Sequence, residues 1–317
     1  MTSLPSISII TPSLNHGQYI QDTIDSVLGQ AYPNFEYTVF DGGSSDNTLD
    51  ILASYDERLN WVSAPDDGQA AAINLGWQGS SGEIVAWLNA DDYYLDGVLQ
   101  IVAAYFRDHP HIDVLYGMCD FVGEGGQLIG HYDTGPFDYF RLLSGAINFI
   151  PQPTVFIRRR VLEELGFLNE RLHYVFDYEY WLQIGLLHRI AFFPKKLAVM
   201  RLHEKAKSIA GLSALSAELV EMYQAFFARQ DLSSAIKNIK RKSLAQVYLR
   251  AADGAFWAGE IGMARKYLLT AVKYGNWRPQ KLWLWLLFGK LGSSWAKNYQ
   301  SNPYTVRWIS EKNRPAL

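Results

Sequence analysis

The sequence has a single cysteine, Cys119, so the chain cannot form an internal disulfide. Disulfides are typical of secreted proteins, and their absence favours a reducing cytoplasm as the location. Positive charge is not in excess either, because the formal net charge is −3, so we do not expect nucleic acid as a partner. No apolar run approaches the ~20 residues that cross a bilayer. The apolar stretch Trp283–Phe288 could at most contact a membrane surface, such as its inner face.

What the sequence does contain is 49% hydrophobic residues in a chain of 317, enough to build a sizeable core. Up to about Gly117, short apolar runs alternate with helical patterns. This alternation is typical of a layered α/β fold in which a sheet with parallel strands is flanked by helices. The predicted strands are Ser6–Thr11, Phe35–Asp41, Asn60–Ser63, Glu83–Asn89 and Ile112–Tyr116.

After Gly117 the alternation is less regular. The pattern predicts a hairpin at Gly123–Gly126, an extended segment at Thr154–Arg158, a helix at Asp177–Leu187 and another extended segment at Arg189–Leu202. From about Ser213 to Leu291 only helical patterns are found. We therefore predict two regions, residues 1–212 and an α-helical region of residues 213–317. Small residues between Ala252 and Ala271 resemble one tetratricopeptide-type helical hairpin.

Polar residues collect where three of the predicted strands end. These clusters are Thr11–Asn15, Asp41–Asp46 and Asn89–Asp92. Ligands of open α/β sheets bind at the carboxyl ends of the strands, so the three clusters are expected to converge on one crevice.

The cluster Asn89-Ala90-Asp91-Asp92 follows a strongly apolar strand, which would carry a carboxylate to the open end of the sheet. Mg²⁺ and Mn²⁺ prefer oxygen ligands and bind phosphate substrates through one or two protein carboxylates. The cluster therefore predicts a metal site. The alternative is that an Asp caps the helix expected to start near Leu95.

Two further segments bring polar groups to the same edge. Asp41 ends the second strand, and Gly43 follows where the backbone would approach a ligand closely. A carboxylate there could accept hydrogen bonds from a base or a ribose. Asp67 and Gln69 open a helix rich in small residues, and helix N-termini favour anions. An ordinary turn and a packed helix contact are the alternatives for the two segments.

Asp177 and Glu179 open a later helix, two positions apart, so at most one of them faces the crevice. Such an acid could act as the general base that deprotonates an acceptor hydroxyl. A favourable interaction with the helix dipole is the alternative for either residue. His203 lies in a polar loop with Lys205 and Lys207, and this loop could form a lid.

Four motifs in this order resemble the family 2 glycosyltransferases, which have the GT-A fold. The resemblance implies an α/β fold with a Rossmann-like, mostly parallel, nucleotide-binding sheet flanked by helices, followed here by an α-helical C-terminal region. The likeness covers roughly the first two thirds of the chain. The matching pieces are SIITPSLNHGQYIQDTIDSVLGQAYPNFEYTVFDGGSSDNT, DDGQAAAINLGWQGSSGEIVAWLNADDYY, FDYEYWLQ and RLHEKAKS.

The resemblance implies roles for individual residues. Donor-side residues would be Pro12, Ser13, Asn15, Asp41, Gly43, Asp67, Gln69, Asn89 and Asp91, with Asp41 on the nucleotide base. Asn89-Ala90-Asp91 stands where the family has its D-x-D motif, so Asp91 would bind the metal, with Asp92 and His203 as further ligands. Asp177 would be the catalytic base, because it matches the second acid of the family's E-D motif. The acceptor side would contain Gln152, Glu179 and Trp181.

The resemblance implies a single displacement that inverts the anomeric carbon and depends on Mn²⁺ or Mg²⁺. The donor would be a nucleotide-sugar, with a UDP-sugar favoured, and the acceptor a saccharide or a lipid-linked hydroxyl, as in surface polysaccharide or glycolipid synthesis. Peripheral membrane contact would involve the C-terminal helices. The alternative hypothesis is a non-catalytic protein that binds a nucleotide-sugar, or binds a partner through its helical region.

Overall fold

The computed structural model describes residues 4–203, 206–207 and 211–275 of the chain. The chain divides into two compact units. The first unit comprises Met1–Phe137 and Phe149–Arg201, and the second comprises Asp138–Asn148 and Leu202–Leu317. The boundary predicted between residues 212 and 213 stays a prediction.

The first unit is built around one sheet. Its strands are β1 (Ile7–Ser13), β2 (Phe35–Asp41), β3 (Asn60–Ser63), β4 (Ile84–Trp87), β5 (Tyr93–Tyr94), β6 (Val114–Val122), β7 (Leu128–His131), β8 (Phe156–Arg158) and β9 (Ile190–Arg201). The helices of the whole described chain are α1 (Ile20–Leu28), α2 (Thr48–Ala53), α3 (Gln69–Gly79), α4 (Val98–Asp108), α5 (Tyr139–Gly145), α6 (Arg159–Leu165), α7 (Phe176–Leu187), α8 (Leu212–Ala228), α9 (Ser234–Trp257) and α10 (Ile261–Lys273).

The strand order is β3-β2-β1-β4-β8-β6-β9-β5, and β7 pairs with β6. The pairs β1–β2, β1–β4, β2–β3 and β6–β9 are parallel. Strand β8 is antiparallel to both β4 and β6. The predicted α/β fold with a mostly parallel sheet is therefore confirmed, and the antiparallel pairs make the sheet a mixed one. The predicted hairpin at Gly123–Gly126 is also confirmed, because it joins β6 to β7.

One strand prediction ended too early. Strand β6 continues to Val122, not Tyr116, because Gly117 is a point of close approach inside the strand rather than its end. A Cβ atom at Gly117 would lie 2.6 Å from the Leu197 side chain of β9, and the β6–β9 register shifts at this point.

The central strands are buried, which explains their continuous apolar runs. Every residue of β1 and of β4 is buried. Helix α3 packs tightly on β1, because a Cβ atom at Gly76 would come within 2.7 Å of the Ile10 side chain. Because β1 pairs in parallel with both β2 and β4, the carboxyl ends of these three strands lie at one edge of the sheet, where the polar clusters follow.

The second unit is helical in its described part, as predicted. Its helices are α5, α8, α9 and α10. The small residues predicted to form a helical hairpin lie at helix contacts: Ala252, Ala264 and Ala271 are buried, and a Cβ atom at Gly254 would overlap the Ser216 hydroxyl of α8. Trp283–Phe288 and the rest of the helical pattern up to Leu291 lie outside the described residues. Among the helices described, none has the length and apolar character needed to span a membrane.

Candidate functional site

The loop after β2 is organised by the carboxylate of Asp41. Asp41 is 2% exposed and accepts hydrogen bonds from the N–H groups of Gly43 at 3.0 Å and Ser44 at 2.9 Å. It also accepts a bond of 2.7 Å from the Ser63 hydroxyl, at the end of β3. Gly43 has a φ of +86°, which favours glycine. Asp41 therefore shapes the loop with its carboxylate, and its predicted contact with a base stays a prediction.

The loop after β1 is attached to the same turn. Asn15 has a φ of +57°, and its N–H donates to the Ser44 hydroxyl at 2.7 Å. The Asn15 side chain accepts from the Ser45 N–H at 2.8 Å. Ser13 is buried, and within the described part of the chain its hydroxyl has no hydrogen-bond partner. A buried hydroxyl without a hydrogen-bond partner lowers the stability of the fold. The Ser13 hydroxyl is therefore available to hydrogen-bond with a polar ligand at this edge.

Pro12 precedes Ser13 and is buried inside the sheet. It lies in register opposite Phe40 of β2. Its role is therefore to form the end of the strand, with its predicted donor contact left as a prediction.

A chain of hydrogen bonds crosses the sheet edge after β4. Gln69, the first residue of α3, donates to Asn89 at 2.8 Å, and Asn89 donates to Asp92 at 3.3 Å. Asp92 accepts a further bond of 3.1 Å from the Arg201 N–H. Burial, followed by the charge of Asp91, raises the pKa of Asp92 well above its ordinary value. Both oxygens of the Asp92 carboxylate therefore accept hydrogen bonds inside the fold, and its role as a metal ligand stays a prediction.

Asp91 differs from Asp92 because its side chain is only partly buried. Its backbone carbonyl accepts a bond of 3.4 Å from the Arg201 guanidinium. Helix α4 begins only at Val98, so neither acid caps it as the alternative interpretation required. Solvent can reach Asp91, and its carboxylate oxygen is the type of ligand that Mg²⁺ or Mn²⁺ prefers.

The third predicted metal ligand, His203, belongs to the second unit and is largely buried. Within residues 4–203, 206–207 and 211–275, no group of three or more His, Cys, Asp or Glu side chains is arranged to hold a metal. Asp91 as a metal ligand stays a prediction, and a single carboxylate would suit a metal held mainly by a phosphate substrate. His203 as a ligand stays a prediction.

The turn before α3 is shaped by Asp66, the residue before the predicted donor residue Asp67. Asp66 accepts a bond of 2.9 Å from the Gly68 N–H, and both acids are exposed. The donor role of Asp67 stays a prediction. Gly68 has a φ of +110° and faces the ring of His173, whose Nδ1 would lie 3.5 Å from a Cβ atom at this position. Asp66 and His173 could not be predicted as site residues, because nothing in their local sequence distinguishes them from other loop residues.

Aromatic rings attach the start of α7 to the end of β4. Trp87 of β4 has Phe176 at 6.3 Å and Trp181 at 5.6 Å between ring centroids. Asp177 follows Phe176 directly and is partly exposed. Its charge adds to the effect of burial in raising the pKa of Tyr132. The aromatic contacts thus hold the proposed base near the strand that carries Asp91.

The predicted acceptor-side residues have different surroundings. Trp181 is completely buried. Glu179 is partly exposed and accepts a bond of 2.9 Å from Gln183, one helical turn later. Gln152 is 7% exposed and donates to the Trp87 carbonyl at 2.8 Å, while its Oε1 atom has no hydrogen-bond partner among the described residues. The acceptor roles of all three stay predictions. Trp181, like Gln152, has a buried polar atom, its Nε1, without a hydrogen-bond partner among the described residues.

Asn74 is a buried residue of α3 whose role was not predicted from the sequence. It donates to the Leu168 carbonyl at 2.9 Å and to Glu170 at 2.8 Å, and it accepts a bond of 3.0 Å from the Leu168 N–H. The segment it holds leads into α7. Asn74 therefore links the helix that carries Gln69 to the helix that carries Asp177.

Arg201 is the last residue of β9, and its role was not predicted from the sequence either. Its guanidinium pairs with Asp22 at 2.6 Å and lies over the Tyr19 ring at 4.9 Å. With its bonds to Asp91 and Asp92, it connects α1 to the loop after β4. Arg201 is the first residue of the motif RLHEKAKS. Nothing in that motif indicates that its ion-pair partner, Asp22, lies 179 residues earlier.

Comparisons with known proteins agree on one family. The family model described as "Glycosyl transferase family 2" matches residues 8–166, half of the chain. An uncharacterized glycosyltransferase of Rickettsia typhi is 27% identical over 236 residues, covering 72% of each protein. One from Haemophilus influenzae is 29% identical over 217 residues, 64% of this chain and 67% of the relative. An uncharacterized glycosyltransferase of Rickettsia felis is longer, and this chain spans 35% of it.

Solved structures are similar in fold. Residues 1–349 of Staphylococcus aureus TarS, in complex with UDP-GlcNAc, align with a TM-score of 0.66 at 19% identity, covering 97% of this chain and 91% of that one. A mannosyltransferase of Pyrobaculum calidifontis, in complex with GDP-Man and Mn²⁺, aligns with a TM-score of 0.60 at 19% identity, covering 98% and 85%. At these identities the likeness concerns the fold alone.

Proposed function

Because this chain belongs to glycosyl transferase family 2 and has its GT-A fold, we propose that it transfers a sugar from a nucleotide-sugar donor to a hydroxyl acceptor. The observation that carries the proposal is the sheet edge after β4. There the hydrogen bonds from Gln69 through Asn89 to Asp92 fix the loop and leave Asp91 as the partly exposed acid.

The donor is a nucleoside-diphosphate-sugar, with a UDP-sugar as the first choice. Both similar structures were obtained with a nucleotide-sugar, UDP-GlcNAc in one case and GDP-Man in the other. The buried Ser13 hydroxyl and the loop around Asp41 offer polar groups at the same edge. The acceptor is a saccharide or lipid-linked hydroxyl, as in surface polysaccharide or glycolipid synthesis.

A divalent cation, Mn²⁺ or Mg²⁺, would be held by the carboxylate of Asp91 together with the donor. When bound, it supplies positive charge that offsets the charge of the departing nucleoside diphosphate. We assign no ligand role to Asp92, because its oxygens already accept hydrogen bonds from Asn89 and Arg201 inside the fold.

The chemistry we propose is a single displacement with inversion. Asp177 takes the proton of the acceptor hydroxyl while that oxygen forms a bond to the anomeric carbon. The bond from this carbon to the diphosphate oxygen breaks, and the nucleoside diphosphate leaves with the electron pair. General-base catalysis of this kind contributes roughly 100-fold to 10,000-fold. The aromatic contacts between Trp87 and Phe176 support a fixed position for Asp177.

The test is a thermal-shift and donor-hydrolysis screen with UDP-, GDP- and TDP-sugars, each with and without Mn²⁺. We expect one nucleotide to stabilise the protein in a metal-dependent way and expect Asp91→Asn to lose that stabilisation. Asp96→Asn, an exposed acid five positions later, is the control and should behave like the wild type. Stabilisation without turnover of any donor or acceptor would favour the non-catalytic, nucleotide-sugar-binding alternative.

A further inference from the structure

The formal net charge of −3 is the sum of two units whose net charges have opposite signs. The first unit has 10 Lys and Arg residues against 24 Asp and Glu residues, whereas the second has 19 against 8. The surplus continues through the last part of the sequence. Residues 261–310 contain eight Lys and Arg residues and no Asp or Glu. The composition of the whole chain therefore gave no sign of a strongly basic half.

Part of this charge is gathered at one end of the helices of the second unit. Lys237 donates to the Gln230 carbonyl at 2.9 Å, and Lys240 donates to the Phe227 carbonyl at 3.2 Å, both where α8 ends. Arg241 donates to the Tyr274 carbonyl at 3.1 Å, where α10 ends. We call these three residues, with their exposed neighbours Lys242 and Lys273, the cationic end.

The hydrogen bonds to helix carbonyls leave most N–H donors of these three residues available. Cations near helix C-termini are stabilising, which accounts for one hydrogen bond from each of the three residues. An ammonium group has three N–H donors and a guanidinium has five, so most donors remain for an external anion.

No carboxylate within the described residues lies at ion-pair distance from the cationic end. The acid Asp231 has its pKa lowered mainly by its hydrogen bond with Arg229 and to a smaller extent by the charge of Lys237. That bond is an ion pair of 2.5 Å, so Asp231 is already paired. Within the part of the chain that the structure describes, the exposed positive charge of the cationic end is therefore not compensated by an ion pair.

We propose that the cationic end binds the surface of an anionic lipid membrane. The chain leaves this end at Gly275 and continues into a sequence in which Trp277, Trp283, Trp285 and Trp295 alternate with leucines and with Arg278, Lys281, Lys290 and Lys297. Tryptophan favours the membrane–water interface, and clustered basic residues are attracted to anionic lipids. A soluble polyanion would account for the charge but not for the tryptophan and leucine that follow it.

The test is flotation of the full chain with vesicles of phosphatidylcholine, or of phosphatidylcholine with about one third phosphatidylglycerol. We expect binding only to the anionic vesicles, and we expect it to be lost near 1 M salt, where charges are screened within about 3 Å. Lys242→Glu and Lys273→Glu should each weaken binding at least roughly five-fold. Lys242 is exposed in the interior of α9, so Lys242→Glu should keep the thermal stability of the wild type. Lys273 lies in the last turn of α10, so Lys273→Glu should lower the thermal stability slightly without unfolding the protein.

Lys195→Glu is the matched control, because it makes the same charge change at an exposed position of the first unit. It should leave vesicle binding unchanged. Equal binding to both kinds of vesicle, or an equal loss in the control, would overturn the proposal. Retention by polyphosphate without any binding to anionic vesicles would also overturn it, and would assign the cationic end to a soluble polyanion.

Discussion

Trp181 lies parallel to Trp87, with ring centroids 5.6 Å apart and ring planes inclined by 18°. Both rings are completely buried, and Trp77 meets Trp87 edge-on at 5.4 Å. Offset-stacked and edge-on pairs of aromatic rings add stability beyond the area they bury. The stack therefore attaches α7 to β4, and the structure gives Trp181 a packing role in addition to the acceptor contact predicted from the sequence.

Replacing Trp181 by alanine should lower the free energy of unfolding by about 3 to 5 kcal/mol, because it removes a large buried ring from the core. Denaturant unfolding measures the change. Trp61→Ala is the control, since Trp61 is 37% exposed on β3 and should cost much less. A Trp181→Ala protein with normal stability and only a raised acceptor KM would favour the acceptor-side role instead.

Asp177→Asn should lower turnover roughly 100-fold to 10,000-fold, because the amide cannot accept the acceptor proton. Donor binding, measured by thermal shift, should stay close to that of the wild type. Glu179→Gln is the matched control, since Glu179 lies two positions later in α7, points in a different direction and already accepts a bond from Gln183. A larger loss of turnover in Glu179→Gln than in Asp177→Asn would transfer the base role to Glu179.

The strands and their polar ends were predictable because both are local features of the sequence. Apolar runs mark β1 to β4 to within two residues at each end, and the residues that follow each strand are necessarily near the same edge. Strand β6 was the exception. Its glycine suggested an end, and only the approach of Leu197, 80 residues later, explains why glycine is needed inside the strand.

The contacts that fix the site could not be predicted, because their partners are far apart in the sequence. Arg201 bonds to Asp92 across 109 residues, and Asn74 bonds to Leu168 across 94. Each of these residues has an ordinary local context. The sequence also could not separate Asp91 from Asp92, since only the fold shows that one is partly exposed and the other is buried.

Glu36 should make the stability of the fold depend on pH in the acid range. Burial tends to raise its pKa, but hydrogen bonds from the Ser8 hydroxyl and from the N–H groups of Ser81 and Gly82 outweigh that effect and lower it. A lowered pKa in the folded state means that Glu36 stabilises the fold above its unfolded pKa of about 4.3. That contribution should be lost as the pH falls through the folded pKa.

Thermal unfolding between pH 7 and pH 3 tests this. The difference in Tm between the wild type and Glu36→Gln should be largest at neutral pH and should shrink in acid. Glu57→Gln, at an exposed position of the first unit, is the control and should follow the wild type at every pH. A constant difference between wild type and Glu36→Gln would mean that the charge of Glu36 does not contribute.

Asn74→Ala should destabilise the protein and slow turnover together. The substitution leaves the N–H and the carbonyl of Leu168 without their partner, and Leu168 is 4% exposed, so water cannot readily replace it. Unsatisfied buried groups cost about 1 to 3 kcal/mol each, so the two groups together should cost about 2 to 6 kcal/mol in denaturant unfolding. Turnover measured well below Tm should also fall, because the segment at Leu168 leads into the helix of Asp177.

Two variants separate the hydrogen bonds of Asn74 from a general effect on α3. Leu75→Ala changes the next residue of the helix, which is 57% exposed, and should alter stability by no more than about 0.5 kcal/mol. Asn74→Asp keeps an acceptor for the Leu168 N–H but places a carboxylate beside Glu170, so it should be no more stable than Asn74→Ala. If Asn74→Ala kept wild-type turnover while losing stability, the hydrogen bonds would hold the fold together without positioning Asp177.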